Sequence, residues 1–370
     1  MHTNKKTLTL PPDVVSHYNQ LKSNIDGAND LDLIVRCCDV AAGLSGDSIF
    51  SFIFAAILLA KKGEHEKAID LLKPRTTKSP FALAFKRYLS INKGLRIKAK
   101  VFDSATAYNA WCRTEFYKEY NRAAVAEITK SILNTALPNN EAIILDVGSG
   151  NGILITNIIN SILAAVPLTS LHLILNDASQ NMLELAKLHC KQNINLPLTI
   201  TTIKGRIEDI SPDVIQAATK NTPVWFVNGA ASLHHMPAAK KHSTLKKLAS
   251  LTYKILITDF EANHDLPQAD TPEFLYSLVQ NQNFFIEDIL LSNNSEDDKW
   301  LAIDEFILAE GLVMIANDRE HRVDYHAHKH EWIDLVNKAG LTVCDERFVF
   351  HNKDGRPITF YLDLSSKLAA

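Results

Sequence analysis

The sequence predicts an α/β fold in which seven strands form a mostly parallel sheet, with a helical region ahead of it and another inserted late. Three observations predict this. Short apolar runs alternate with helix-length segments between Ile144 and Asp259. The first run passes an acid and then a glycine at every second position, Asp146-Val147-Gly148-Ser149-Gly150-Asn151-Gly152. The last two runs, Thr342–Phe350 and Ile358–Leu364, flank a Lys353-Asp354-Gly355 turn and read as an antiparallel hairpin.

The glycine-rich stretch is how a parallel strand enters a helix while keeping its backbone bare for a ligand. Glycine permits positive φ and lets main chain approach where a Cβ would collide. The spacing D-x-G-x-G-x-G differs from the G-x-G-x-x-G of dinucleotide folds, and no Gly-Lys-Ser/Thr follows to hold a triphosphate. Ile153–Ala165 reads as the first crossover helix. Leu171–Leu175 is the second strand and ends Asn176-Asp177-Ala178-Ser179, with Met182 and Leu183 beyond. A carboxylate placed there can accept from both hydroxyls of a ribose, or cap the helix that starts near Gln180. Leu198–Lys204 is the third strand, followed by Gly205-Arg206-Ile207-Glu208-Asp209. Val224–Val227 is the fourth and runs through Asn228, Gly229, Ala230, Ala231 and Ser232 to Leu233-His234-His235-Met236-Pro237. Lys254–Asp259 is the fifth. A helix over Trp332–Leu341 leads into the hairpin.

This series resembles class I S-adenosylmethionine (SAM) methyltransferases, a Rossmann-like fold. The resemblance implies SAM as cofactor and S-adenosylhomocysteine as product. It places Asp146, Gly148, Ser149, Gly150, Asn151 and Gly152 under the methionine part, and Asp177, Ala178 and Met182 at the ribose. Asn228 and Gly229 border the cofactor at the fourth strand. Related enzymes carry Asp where Arg206 stands, and a guanidinium cannot accept from the adenine amine. That contact falls to Glu208 or Asp209, or to the backbone at Ile207. Tyr120 or Arg122, on a helix ahead of the first strand, would fold over the SAM carboxylate, or else pack the helical cap on the core.

The bulk numbers bound the classes. With 370 residues and 46% hydrophobic content, the chain can bury a large core in one enlarged domain or two. Net charge is −3 without long runs of either sign, so no phosphate-backbone footprint is visible and no nucleic-acid partner is expected. Five cysteines (37, 38, 112, 190 and 344) include no C-x-x-C, which argues against a disulfide framework or a zinc site. The longest apolar run, Ile49–Ala60, is too short to span a bilayer and reads as a buried helix. No export signal follows Met1–Lys6, so a cytoplasmic protein without a membrane partner is expected. A homodimer is left open.

The organisation read from the sequence is a helical cap over 1–98, a cofactor-binding core over 99–262, a helical insert over 263–331, and a closing helix and hairpin over 332–370. Residues 1–24 read as polar and loose at the start. Leu31–Ala42, Asp47–Lys62, Glu64–Leu72 and Pro80–Ile91 read as helices, Leu95–Phe102 as linker or short strand, and Tyr108–Leu137 as one or two helices. Within the insert, Phe274, Leu275, Leu278, Phe284, Phe285 and Ile289 mark an apolar helix, and a second covers Lys299–Ile315. Cap and insert are expected to meet over the ends of strands four and five.

A more specific resemblance lies in the insert and the cap. Glu261-Ala262-Asn263-His264 with Phe274-Leu275 and Phe284-Phe285 is similar to a segment of the GRAS family of plant transcriptional regulators. Ile315-Ala316-Asn317-Asp318 with Arg322-Val323, then Trp332 and Ala339-Gly340-Leu341, resembles that family's V-A-C-E-G-x-x-R-V, tryptophan and A-G-F. Ala68-Ile69-Asp70-Leu71-Leu72 after Gly63-Glu64 resembles its first leucine-rich region. Plant members have generally lost the glycine loop, which here is intact. The resemblance therefore implies an enzyme of the bacterial GRAS-like type, acting on a small-molecule acceptor in a capped pocket. The alternatives are a GRAS-like ligand- or protein-binding module without turnover, and a methyltransferase acting on a protein or nucleic acid.

Methyl transfer needs mainly orientation and exclusion of water. A base is required only for a hydroxyl, a neutral carboxylic acid or a protonated amine. Candidates at the carboxyl ends of strands four and five are His234, His235, Glu261 and His264, with loop bonding and helix capping as the plainer roles of the last two. Asn263, Tyr117, Trp111 and Phe274 would line the acceptor site, or be core. His326, His328 and His330 alternate as ligands on one strand face would, but they read equally as a solvated loop, and no metal is expected.

Overall fold

A computed structural model of the chain describes residues 10, 12–27, 30–45, 49–95, 104–135, 141–265 and 268–366. The readings of Met1–Lys6 and of residues 96–102 lie outside them. The chain divides into two compact units: residues 1–116 with 262–324, and residues 117–261 with 325–370.

The second unit holds the sheet. Its strands are β1 (Glu141–Val147), β2 (Ser170–Asp177), β3 (Leu198–Lys204), β4 (Val224–Ala230), β5 (Thr252–Phe260), β6 (Thr342–His351) and β7 (Pro357–Ser365). They lie in the order β3-β2-β1-β4-β5-β7-β6, the seven-stranded order of the class I methyltransferase sheet. β1 pairs in parallel with β2 (Leu145↔Ile174) and with β4 (Leu145↔Val227), and β7 pairs antiparallel with β5 (Ile257↔Leu362) and β6 (Phe348↔Phe360).

Burial explains the composition of each strand. Every residue of β4 is buried, as befits a central strand covered on both faces, whereas edge strand β6 alternates exposed and half-buried positions over Thr342–Arg347. Consecutive residues feed opposite cores. Leu145, Val227, Ile257 and Leu362 pack with Trp332 on one face. Ile144, Phe226, Leu256 and Tyr361 pack on the other, with Ile155, Ile158, Ile159 and Ile162 of the helix Ile153–Leu163. Each fully buried Leu, Ile or Phe contributes about 1.5–3 kcal/mol. Strand order reverses between β1 and β4, which makes the carboxyl ends of these strands the crevice where open α/β sheets bind ligands.

The first unit is helical. Phe50–Lys61 is buried from Phe50 through Ala60, as its unbroken apolar run requires. The insertion is built into this unit by specific bonds. Asn283 Oδ1 accepts from Ser79 Oγ (2.9 Å) and from the Phe81 amide (3.1 Å), and Lys61 Nζ pairs with Asp270 at 2.6 Å. Pro12–Gly27 is a helix in a stretch read only as polar, because Val14, Tyr18, Leu21 and Ile25 form one buried stripe at helical spacing. The segment expected as one helix over Lys299–Ile315 is Glu296–Ala302 and Leu308–Ala316, joined by a π-helical turn at Ile303–Ile307. Among the described residues no helix is long and apolar enough to cross a membrane.

Candidate active site

β1 delivers Asp146 to the switch point, buried, and the next turn carries three glycines at positive φ: Gly148 (+69°), Gly150 (+52°) and Gly152 (+79°). Two of them are required by the protein's own packing as well. A Cβ on Gly148 would run into Ser232 Cβ, and one on Gly152 would stand 2.8 Å from Ala186 Cα. The end of β2 braces the loop. Gly148 and Ser149 amides donate to the Asn176 carbonyl at 2.8 and 3.0 Å, and the Gly150 amide donates to Asp177 Oδ2 at 3.0 Å. Asp177 Oδ1 accepts from the Ser179 amide (2.8 Å), closing a turn, while the N-cap weighed for it falls to Ser179, whose hydroxyl accepts from the Met182 amide. Burial raises the Asp177 carboxyl against these amide bonds. Beside it Ala178 is exposed and Met182 buried.

Asp146 Oδ1 accepts from Asn228 Nδ2 at 2.7 Å, tying the ends of β1 and β4 together. Burial pushes the Asp146 carboxyl up to about 6 in spite of that bond. β4 then leaves the sheet through Ala231, a non-glycine at φ +47° whose amide donates to the Thr258 carbonyl at 2.7 Å. Left-handed backbone at a residue with a Cβ is strain of the kind that collects at functional sites. Gly229 is small because Leu233 Cδ1 would sit 2.8 Å from any Cβ there.

Past that turn lies a cluster that the sequence did not assemble. His234 Nδ1 is 2.6 Å from Asp259 Oδ1, at the end of β5, and both residues are buried. The His326 ring packs on His234 with centroids 4.0 Å apart and planes tilted 33°. Its Nδ1 is 3.7 Å from the same carboxylate oxygen. His235 stands edge-on to His234 at 4.2 Å. Burial drives the His234 imidazolium down to about 4, against the attraction of Asp259. Burial works to raise Asp259, yet His234 and His326 hold it below the usual carboxylate range. At neutral pH this is an uncharged imidazole against a carboxylate. Asn228 Oδ1, Ser232 Oγ and Asp259 Oδ2 are all buried here without a hydrogen-bond partner among the described residues. Buried polar atoms are usually paired, and here three without a partner lie at adjacent strand ends.

Other expected residues sit differently. Arg122 is exposed and pairs with Glu119 of its own helix at 2.7 Å. Tyr120 is buried, its hydroxyl 2.8 Å from Thr258 Oγ1 and its ring stacked on Phe260, and Tyr117 is buried beside it. Glu261 spends both oxygens at the start of the helix Lys329–Lys338, accepting from His328 Nδ1 (3.0 Å) and the Lys329 amide (2.8 Å). These bonds tie it to the start of a helix 68 residues further on rather than to the next one in the chain. The alternating histidines diverge, His326 toward Asp259 and His328 toward Glu261. Arg206 donates to Glu208 Oε1 (2.7 Å) and to the His235 carbonyl, so it ties the β3 loop to the β4 loop. Ile207 is buried and its carbonyl accepts from Lys247 Nζ at 2.6 Å.

His264, Asn263, Phe274 and Trp111 belong to the helical unit. His264 is buried, and its carbonyl accepts from Arg322, whose guanidinium lies 4.0 Å over the Phe274 ring. The Asn263 amide donates to Ser277 Oγ at 3.1 Å. Trp111 packs against Phe285, Phe306 and Tyr108. For Trp111 and Phe274 these are core contacts. Asp259, Ser232 and His326 were missed as site residues. The signal for Asp259 was an acid closing a β-branched run, that for Ser232 its place at the head of the Ser-Leu-His-His-Met run after strand four, and that for His326 the alternating histidines, which were read as a loop.

No protein-family model matches the chain and no curated protein matches it in sequence. Solved structures do resemble it. SCL7 of Oryza sativa is 12% identical with a TM-score of 0.61, over 96% of this chain and 100% of that one. Magnesium protoporphyrin IX methyltransferase (ChlM) from Synechocystis PCC 6803, with bound SAH, is 12% identical at TM-score 0.42, over 72% and 96%. A Burkholderia thailandensis 1,6-didemethyltoxoflavin-N1-methyltransferase is 12% identical at TM-score 0.36, over 70% and 88%. At such identities likeness speaks for the fold alone, and of these three SCL7 carries it.

Proposed function

We propose that the chain is a class I SAM-dependent methyltransferase acting on a small molecule, of a GRAS-like type that keeps its glycine loop. The likeness of fold to SCL7, a GRAS protein, supports the second part. The observation that carries the first is the arrangement at the switch point: a thrice left-handed glycine turn, a ribose-suited acid braced against it, and buried acceptors beyond. SAM carries its positive charge on a sulfonium and an ammonium, and Asp146 with Asn228 Oδ1 offers buried oxygen acceptors suited to such a ligand. Asp177 would hold the ribose, and the Ile207–Glu208 turn would meet the adenine. Bound SAM supplies an activated methyl group. The protein's part is to orient the acceptor and exclude water.

Calorimetry with S-adenosylhomocysteine tests this. The wild type should bind and Asp177→Asn should bind about 10–100-fold more weakly, the equivalent of one or two hydrogen bonds to a charged group. No binding by the wild type would sink the proposal. A binding module without turnover is the second reading, favoured by Arg206, which closes the position where related enzymes read adenine. Binding without methyl transfer to any acceptor would decide for it.

A further inference from the structure

We propose that Lys247 and Arg206 are positioning residues for the cofactor, which together set the turn after β3 so that Glu208 accepts from the amine of adenine. This rests on the reading of the chain as a SAM-dependent methyltransferase and goes beyond it to what selects the base.

The turn is fixed at both ends. At its start the Gly205 amide donates to the Asp177 carbonyl at 3.0 Å, and Asn176 Nδ2 donates to the carbonyls of Ile203 and Gly205, both at 2.9 Å. The stretch that would read the base is thereby tied to the strand end that carries the ribose-suited acid. At its close Lys247, in the last turn of the helix Ala238–Ala249, donates to three carbonyls: Ile207 (2.6 Å), Ile210 (2.7 Å) and Glu208 (3.3 Å). An ammonium has three protons to give and accepts nothing, so one side chain gathers the main-chain acceptors of the turn at one point. Burial lowers the Lys247 ammonium against the attraction of Glu208 and Asp209, so holding it there costs solvation that an exposed lysine would keep.

The two acids of the turn divide accordingly. The Asp209 side chain is 61% exposed and lies 3.3 Å from Lys240, whereas that of Glu208 is 5% exposed and accepts from Arg206 Nε at 2.7 Å. A carboxylate offers about four lone-pair sites, so one bond from Arg206 leaves Glu208 able to accept from an amine. Arg206 is itself anchored, since it also donates to the His235 carbonyl. Related enzymes place the acceptor where Arg206 stands. Here the guanidinium takes that place and orients an acceptor two residues on. An ammonium that only capped the carbonyls of a short helical turn would change stability and leave the choice of base alone.

Selectivity at the base separates positioning from stability. S-inosylhomocysteine carries a carbonyl where S-adenosylhomocysteine carries the amine, so it meets Glu208 with an acceptor in place of a donor. In calorimetry on the full chain the wild type should prefer S-adenosylhomocysteine about 10-fold or more, the equivalent of one hydrogen bond to a charged group. Lys247→Met keeps the stem and removes the ammonium. It should bring the two affinities within about 3-fold, chiefly by weakening S-adenosylhomocysteine, and Lys247→Arg should restore part of the preference. Arg206→Met, at a half-exposed position, should narrow the preference at a nearly unchanged melting temperature. Glu208→Gln, whose amide can face either partner, should abolish it. These two decide if Lys247→Met does not fold. Equal binding of both homologues by the wild type, or a preference left intact in Lys247→Met, Arg206→Met or Glu208→Gln, would overturn the inference. A lowered melting temperature with selectivity unchanged would overturn it too, leaving Lys247 a cap. Failure of the wild type to bind either homologue would condemn the methyltransferase reading instead.

Discussion

The ends of β1 and β2 and the ends of β4 and β5 lie side by side on one sheet, yet they are made in different ways. The first is local: Asp146 to Gly152 is seven consecutive residues, and Asp177 reaches it through the Gly150 amide. The second is assembled from three distant segments, with His234, Asp259 and His326 meeting only because β4 pairs with β5 and the chain returns along Tyr325. A backbone cradle can be written as a motif, whereas a side-chain cluster is a product of register.

Gly148→Val should have the largest effect, because this residue belongs to both regions. Its φ of +69° is hostile to a β-branched residue, and its Cβ would collide with Ser232 after β4. Left-handed strain of roughly 1–2 kcal/mol and overpacking of about 1–3 kcal/mol should lower stability together. Homologue binding should vanish with them. Thermal unfolding and calorimetry check both. Unchanged stability would mean that the two strand ends are less coupled than the Gly148–Ser232 approach implies.

That coupling marks the boundary of what the sequence could tell. Strand order, hairpin and glycine turn were legible because periodicity and turn chemistry act over a few residues. The reason for Gly148 was not, because it lies 84 positions away at Ser232. Glu261 and His264 looked like a pair three apart on one turn, but the chain passes between units there, and Glu261 turns to cap a helix. Tyr120 and Arg122 were equally ambiguous, since an aromatic and a cation on an amphipathic helix read alike whether they face a ligand, the core or water. Arg206 departs from the methyltransferase pattern for a reason that only tertiary structure supplies, a bond to the His235 carbonyl.

Asp146→Asn sharpens the local region by separating stability from function. The folded-state value of about 6 lies above the ordinary 3.8. Folding is therefore favoured by the protonated form, and that contribution is lost as pH rises through about 4 to 6. At pH 8 the buried charge costs about 3 kcal/mol. The amide should recover about 1–3 kcal/mol there and almost nothing at pH 4, while weakening binding of the cationic cofactor. Equal melting shifts at both pH values would refute the burial account.

Tyr120→Phe separates packing from cofactor contact. Loss of the 2.8 Å bond leaves Thr258 Oγ1 without this partner in a buried position and should cost about 1–2 kcal/mol. Homologue affinity should not move. A fall in affinity without a fall in melting temperature would return Tyr120 to the cofactor.

Glu261→Gln should have the smallest effect and is the sharpest test of whether the second region ends at Asp259. The glutamine can still accept one bond, so the expected loss is the charge at the start of the helix Lys329–Lys338 and part of its attraction to His328, about 1 kcal/mol. Burial opposes a proton on His328, but Glu261 and Glu331 outweigh it and hold the imidazole above its usual value. A raised folded-state value contributes stability that is fully present below 6.5 and is lost as pH rises through that value. The gap in melting temperature between wild type and variant should therefore be widest near pH 6 and narrow by pH 9, where only the helix-dipole part remains. Turnover at neutral pH should stay within about twofold, far from the 10²-fold or more that a general base contributes. A loss of turnover on that larger scale with an unchanged melting curve would make Glu261 the proton acceptor.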